Sequence, residues 1–458
     1  MENPYWEQRE AYEAEAGAGE GGFRIPPLLL LAVHIPLALV LAQSSLISTL
    51  HAIAVFLIGL WFAVMGRRVE QVAYVAAYIN GAEVLWRMTG AVVPWEFGKY
   101  GTAALFIISM ARNSRLQGPM LPFLYFVLLL PSSALTLLAE PLGEARQQIS
   151  FNLSGPFALM VCALFFSHLR LDAERLQWLR LAFVAPILSI AVIAVNSMLS
   201  NPELVFTGES NNATSGGYGP NQVSAALGLG AMLILFFLLE AQASVFIRVA
   251  LFLTMLVLAG QSAMTFSRGG LYNAVGGIVV GFLFLARNVQ AMMRIVLVAA
   301  LLVGTATLYI IPQLDDFTGG ALTRRFESTD PTNRDHIVSA DLQIWGEHPL
   351  LGVGPGQGPN YRKLIYYGAV AHTEFSRLFA EHGFLGFLSL VLLFVTGLQA
   401  VLLSPGSQAK AAKASLLTWS VLYMLNAAMR LAAPSFLFGL TFAEFDLGEE
   451  DRAEAEDE

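Results

Sequence analysis

Apolar runs of near-membrane length recur from Pro26 to Phe442 with only short polar breaks between them, and this pattern constrains the chain more than any other. About 20 apolar residues carry a helix across the hydrocarbon core of a bilayer, and a helix satisfies its own backbone groups there. Spans are expected near 26–43, 45–65, 69–88, 97–111, 119–139, 151–167, 179–199, 221–240, 244–263, 269–286, 294–312, 375–403 and 412–430. The stretch from Leu431 to Phe442, interrupted by Pro434, reads either as a broken final span or as an interfacial segment. The fold class expected is an all-α integral membrane protein of roughly 12–14 transmembrane helices with one large, partly helical extracytoplasmic loop.

Of 458 residues, 56% are hydrophobic and 13% charged, against about 25% charged in soluble domains, so lipid is the main solvent. The net charge of −8 is unevenly spread. Residues 1–24 carry six acids against two arginines and residues 441–458 nine against one, which leaves +4 for the body between them. The expected organisation is an acidic, disordered cytoplasmic tail at 1–24, a helix bundle at 25–312 and a large outer-face loop at 313–371, periplasmic if the membrane is a bacterial inner one. C-terminal helices at 372–442 and a second acidic, disordered tail at 443–458 complete it.

Cys162 is the only cysteine, so no intramolecular disulfide can form and a thiolate zinc or iron–sulfur site is implausible. The acidic N-terminus shows no basic stretch followed by a small-residue cleavage site, and the first helix is expected to direct insertion. With that end cytoplasmic, short loops bearing Arg67 and Arg68, Arg112 and Arg115, Arg170, Arg175 and Arg180, Arg287 and Arg294, and Lys410 and Lys413 follow the positive-inside rule. Three polar segments then share the outer side: 200–220, the turn at Ser267-Arg268, and 313–371.

Arg268 stands between two apolar runs, in Thr265-Phe266-Ser267-Arg268-Gly269-Gly270. A guanidinium there is costly unless it snorkels or has a role; the two glycines permit close approach, and its planar fork suits a phosphate. Arg324, Arg325 and Arg334 in the long loop would complete a site of pyrophosphate size, each of them otherwise a solvated surface arginine.

His372 opens His372-Thr373-Glu374-Phe375-Ser376-Arg377 and runs on to Gly383 and Gly386. Taken as one helix, its face carries Phe375, Ser376, Phe379, Gly383 and Gly386 within about 60° of His372, with the glycines allowing close helix approach. Arg377 and Glu381 form an i, i+4 pair on the far side. A histidine at the membrane–water boundary has a pKa suited to proton abstraction, or it simply caps the helix. His34, His51, His168, His336, His348 and His382 default to structural roles, and no metal spacing is present. The glycine-rich run from His348 to Gly358 lacks the ending of a phosphate loop, so neither a nucleotide nor a nucleic-acid partner is expected.

In order, Gly219-Pro220-Asn221-Gln222, Phe266-Ser267-Arg268-Gly269, Asn333-Arg334 ahead of Trp345, Pro349-Leu350-Leu351-Gly352-Val353-Gly354, and His372 with Gly383 and Gly386 resemble the bacterial O-antigen ligase and polymerase superfamily. The likeness covers roughly residues 200–400; Thr373 and Ser389 depart from the ligase signature, and the arginine often found before its Pro-Asn turn is not evident. The resemblance implies a multi-pass protein of the bacterial inner membrane, active on its periplasmic face without metal or cofactor. It implies transfer of a glycan from a polyprenyl pyrophosphate carrier to an acceptor hydroxyl on a glycan, a lipid or a protein. His372 would be the base, and Arg268, Arg334, Arg324, Arg325 and Asn221 would bind substrate.

Within that chemistry the acceptor stays open between lipid core, growing polysaccharide and Ser or Thr of a protein. A small-anion transporter would need charge deep in the spans, for which Glu70, Glu83 and Arg87 are the candidates. A scaffold that only binds anionic lipid would tolerate loss of His372.

Overall fold

The computed structural model describes residues 27–447 except 116, 202, 211, 241–242, 286–292, 294–295, 298–299, 302, 329–333 and 366–372. Both expected tails lie almost wholly outside these residues. The first half comprises α1 (Pro27–Ala42), α2 (Ser45–Met65), α3 (Val69–Met88), α4 (Phe97–Arg112), α5 (Met120–Val127), α6 (Ser133–Ala139) and α7 (Leu142–Phe166). The strand β1 (Arg170–Asp172) and the helix α8 (Ala173–Leu199) follow. The second half comprises α9 (Pro220–Glu240), α10 (Val245–Met264), α11 (Arg268–Leu285), α12 (Ile311–Phe317), α13 (Ala321–Glu327), α14 (Arg334–Glu347) and α15 (Gly358–Ile365). It closes with α16 (Glu374–Leu402), α17 (Ser407–Ala427), α18 (Ala433–Leu440) and β2 (Glu444–Asp446).

Seven described helices are long and apolar enough to cross a membrane, among them α2, α7, α8, α10, α11 and α16. The chain is an all-α integral membrane protein. Its surface agrees: Leu46, Leu50, Leu57 and Trp61 of α2, and Phe246, Val249, Leu253 and Val257 of α10, are exposed, a belt that would aggregate in water and is ordinary in lipid.

Small residues set the packing. Helix α11 lies between α9 and α17, and it can do so because its inner faces are glycine. A Cβ on Gly270 would sit 2.1 Å from the Ser224 carbonyl oxygen, and one on Gly281 3.0 Å from the Ala411 carbonyl oxygen. Elsewhere α3 packs along α8, and α18 along α7, where Gly439 leaves room for Cys162.

Three expectations change, and a fourth is open in the sequence. The span at 119–139 is two short helices, α5 and α6, parted around Pro131, whose ring and missing N–H disfavour an unbroken helix. The span at 294–312 falls partly outside the described residues; its end passes through a π turn at Ala306–Ile310 and runs on as α12 into the expected loop. The stretch from Leu431 to Phe442, open between two readings, follows a helix break at Ala428 and holds the buried eight-residue α18, which fits the broken span. The expected disordered tail begins with order: β2 pairs in parallel with β1, and Arg170 bonds Asp446 at 2.6 Å and faces Glu444 at 3.5 Å.

Candidate functional site

The end of the bundle that carries α12 to α15 is termed the loop face. Helix α10 stops at Met264, and Phe266 takes a left-handed φ of 55° that reverses the chain within three residues, so that Arg268 opens α11. The turn is held by α9: the Ser267 hydroxyl donates to Asn221 Oδ1 at 2.7 Å, and Ser224 Oγ donates to the Ser267 carbonyl at 2.8 Å. Two helix N-termini, those of α9 and α11, therefore end side by side, each a partial positive charge.

The loop docks onto this turn. Arg325 Nε donates to the Phe266 carbonyl at 2.9 Å, and a small apolar core of Phe266, Ala321 and Leu322 lies beneath it. Arg268 donates to the Ser328 carbonyl. Arg334, the first residue of α14, is half-buried beside Arg268, Arg325 and Arg430, and its guanidinium is pulled below the usual arginine range, first by burial and then by these three cations. Arg324 goes elsewhere: it is exposed and bonds back to the Gly319 carbonyl at 3.3 Å. The fold thus brings Arg268, Arg325, Arg334 and Asn221 together and leaves Arg324 outside.

Arg430 was not foreseen. The argument that singled out Arg268 applies equally to it, since Arg430 interrupts the apolar stretch from Ala427 to Ala433. Only its place at the end of an expected span concealed it.

Behind the arginines the loop is fastened to α16. Asp341 of α14 and Arg362 of α15 form a fully buried ion pair at 2.5 Å, and Ser376 of α16 donates to the other Asp341 oxygen at 2.6 Å. Trp345 stacks on Phe379, with ring centroids 4.9 Å apart. Arg377 pairs with Glu381 at 2.7 Å, as its spacing predicts, and also with Glu374 at 2.5 Å and with Asn152 of α7.

The glycines of α16 have a use different from the expected helix contact. Gly383 has φ 59° and ψ −136°, so the helix is broken there and the single-helix wheel does not extend past it. Residues 349–354 enter the break: Phe384 N–H donates to the Pro349 carbonyl at 2.8 Å, Val353 N–H to Ala380 at 3.0 Å, and Gly354 N–H to Glu381 at 2.9 Å. A Cβ on Gly383 would lie 2.6 Å from Gly352 N, and one on Gly352 2.4 Å from the Glu381 carbonyl carbon. Two motifs recognised separately in the sequence form this one joint.

His372 lies outside the described residues; the next residue, Thr373, caps α16 by accepting from Phe375 N–H at 3.2 Å. The structural reading of three histidines fits their partners: His34 and His51 share the Tyr78 hydroxyl at 3.0 and 3.1 Å, and His382 bonds Ser132. Among the described residues, no three His, Cys, Asp or Glu side chains converge as metal ligands; the charges that converge are guanidiniums.

A multi-pass helical membrane protein with a cationic site at one face defines the class. Residues 253–391 match the family model described as O-antigen ligase, which supports the O-antigen ligase and polymerase superfamily, with glycan transfer of that type and lipid-linked glycan and acceptor as general partners. The matched segment contains Arg268, Arg325, Arg334 and the joint between residues 349–354 and α16. No curated protein matches the chain.

Proposed function

We propose that the loop face is periplasmic, in a bacterial inner membrane, and transfers a glycan from a polyprenyl pyrophosphate to an acceptor hydroxyl. The observation that carries this reading is the gathering of Arg268, Arg325 and Arg334 beside two helix N-termini. Guanidiniums gathered at two helix N-termini make an anion-binding arrangement, and a diphosphate offers a matching pair of anionic groups.

In this reading His372 takes the proton of the acceptor hydroxyl as its oxygen bonds to the anomeric carbon. The anomeric C–O bond to phosphate breaks, and its electron pair leaves with the polyprenyl pyrophosphate. The arginines stabilise the charge that grows on that leaving group, an effect largest in a site of low dielectric. Asn221 acts through Ser267, holding the turn that aims Arg268.

Purified protein supplied with a polyprenyl-pyrophosphate-linked glycan and acceptor tests this. Arg268→Ala is expected to lower turnover on the order of 100-fold while the protein stays folded, and His372→Ala to abolish it. A product ladder means polymerisation and a single product ligation. Full turnover in both variants rejects the proposed chemistry.

Of the charges a transporter would need deep in the spans, Glu83 pairs with Arg87 at 2.7 Å, and Glu70 lies at the opposite end of α3, facing Arg175.

A further inference from the structure

The helix break between α17 and α18 is held from three sides. Ala428 takes φ 52° and ψ −162°, a conformation costly for any residue with a Cβ. Just beyond it, Glu83 Oε2 accepts from Ala432 N–H at 2.7 Å, which caps α18. Arg87, paired with Glu83, donates to the Arg430 carbonyl at 3.2 Å and to Gln222 Oε1 at 2.9 Å. Gln222 follows Asn221, whose oxygen holds Ser267, so the bracket runs from the break directly to the turn that carries Arg268. On the other side Asn426 bonds Asn273 at 2.7 Å, and Gly269 packs against it, with its Cβ direction 3.4 Å from Asn426 Oδ1.

Among the described residues, only Ser114, Phe266 and Ala428 have positive φ without being glycine. Two of these three stand two places before an arginine at the loop face, Phe266 before Arg268 and Ala428 before Arg430. Strain of this kind persists where surrounding structure enforces it, and it gathers at functional sites. Here a buried carboxylate, a second arginine and an amide enforce it.

We propose that Arg430 is a binding residue of the phosphate site, set there by the helix break and by the Glu83–Arg87 bracket, which acts as a positioning device. The proposal rests on the diphosphate reading above and extends it beyond the segment that matches the family. It also gives the fourth cation a purpose. Cleavage of the anomeric bond takes the carrier from roughly two to roughly three negative charges, so added positive charge favours the departing state over the bound donor.

The test uses the full chain in detergent with farnesyl pyrophosphate as the probe. Arg268→Ala reports on the diphosphate reading itself. Arg430→Cys is expected to weaken binding about ten- to hundredfold. Because Cys162 is buried, a methanethiosulfonate acts at position 430 alone; the aminoethyl reagent, which leaves a cation in disulfide linkage, should restore binding, and the sulfonatoethyl reagent should not. Glu83→Gln should weaken binding without touching the probe.

If Arg268→Ala loses affinity while Arg430→Cys binds like wild type, Arg430 lies outside the site and the diphosphate reading stands. Equal effects of the two reagents make Arg430 structural and overturn the proposal. Unchanged affinity in Glu83→Gln overturns the positioning role. If wild type does not bind the probe, the diphosphate reading falls and this inference with it. Should Arg430→Cys not fold, Arg430→Lys against Arg430→Gln makes the same comparison of charge.

Discussion

Arg324 and Arg325 are adjacent in sequence, yet they meet opposite surroundings. One helical position is about 100° of rotation, which turns Arg325 onto the Phe266 carbonyl and Arg324 outward to Gly319. The resemblance treats the two alike; the docking of α13 separates them. Arg325→Ala is therefore expected to lower glycan transfer at least about tenfold, the worth of a charged hydrogen bond, while Arg324→Ala leaves turnover within about twofold, as expected for an exposed charge. Parallel rate measurements on the two purified variants decide this, and equal losses would show that the loop docks differently during catalysis. Asn221→Ala, which frees Ser267, should reduce the maximal rate more than the apparent donor affinity, because it misplaces Arg268 without removing a cation.

At the scale of elements, the broken helix of α16 matters most. Residues 380–384 and 349–354 exchange backbone hydrogen bonds as two paired strands would, though one partner belongs to a helix. Three glycines permit it: Gly352 at φ 64°, Gly354 at φ 97° and Gly383 at φ 59°. Gly383→Ala should destabilise by about 1–3 kcal/mol from the torsion, and by more from the contact of its Cβ with Gly352 N, 2.6 Å away. A fall in melting temperature in detergent, with faster proteolysis between residues 313 and 371, is the expected result. An unchanged melting curve would mean that the joint opens in solution.

At the scale of the whole molecule, the loop is tied to the membrane helices by buried charge. Asp341 and Arg362 are both fully buried, so Arg362→Met strands a carboxylate and should cost about 3–5 kcal/mol. The double replacement of Asp341 and Arg362 by apolar residues of similar size should recover most of that loss. Chemical unfolding followed by tryptophan fluorescence measures both; equal destabilisation by the single and double variants would argue that the pair is not coupled. The arginines are only half-buried, so binding of a polyprenyl pyrophosphate should weaken as salt rises past about 0.15 M, where the screening length falls to about 8 Å.

The sequence by itself determined the solvent, the helices and the chemistry available: apolar runs of bilayer length, arginines where apolar chain resumes, glycines in three motifs. Those are local properties, because hydrophobic length, the cost of a charge near lipid and the freedom of a backbone torsion each belong to one residue or one run. Tertiary structure alone decided which arginines meet. It turned Arg324 away, drew Arg430 in from a helix break, and converted two glycine motifs into one joint. Each of these depends on contacts between residues distant in the chain, such as Glu83 with Ala432 or Gly352 with Glu381, and no local pattern encodes such a contact.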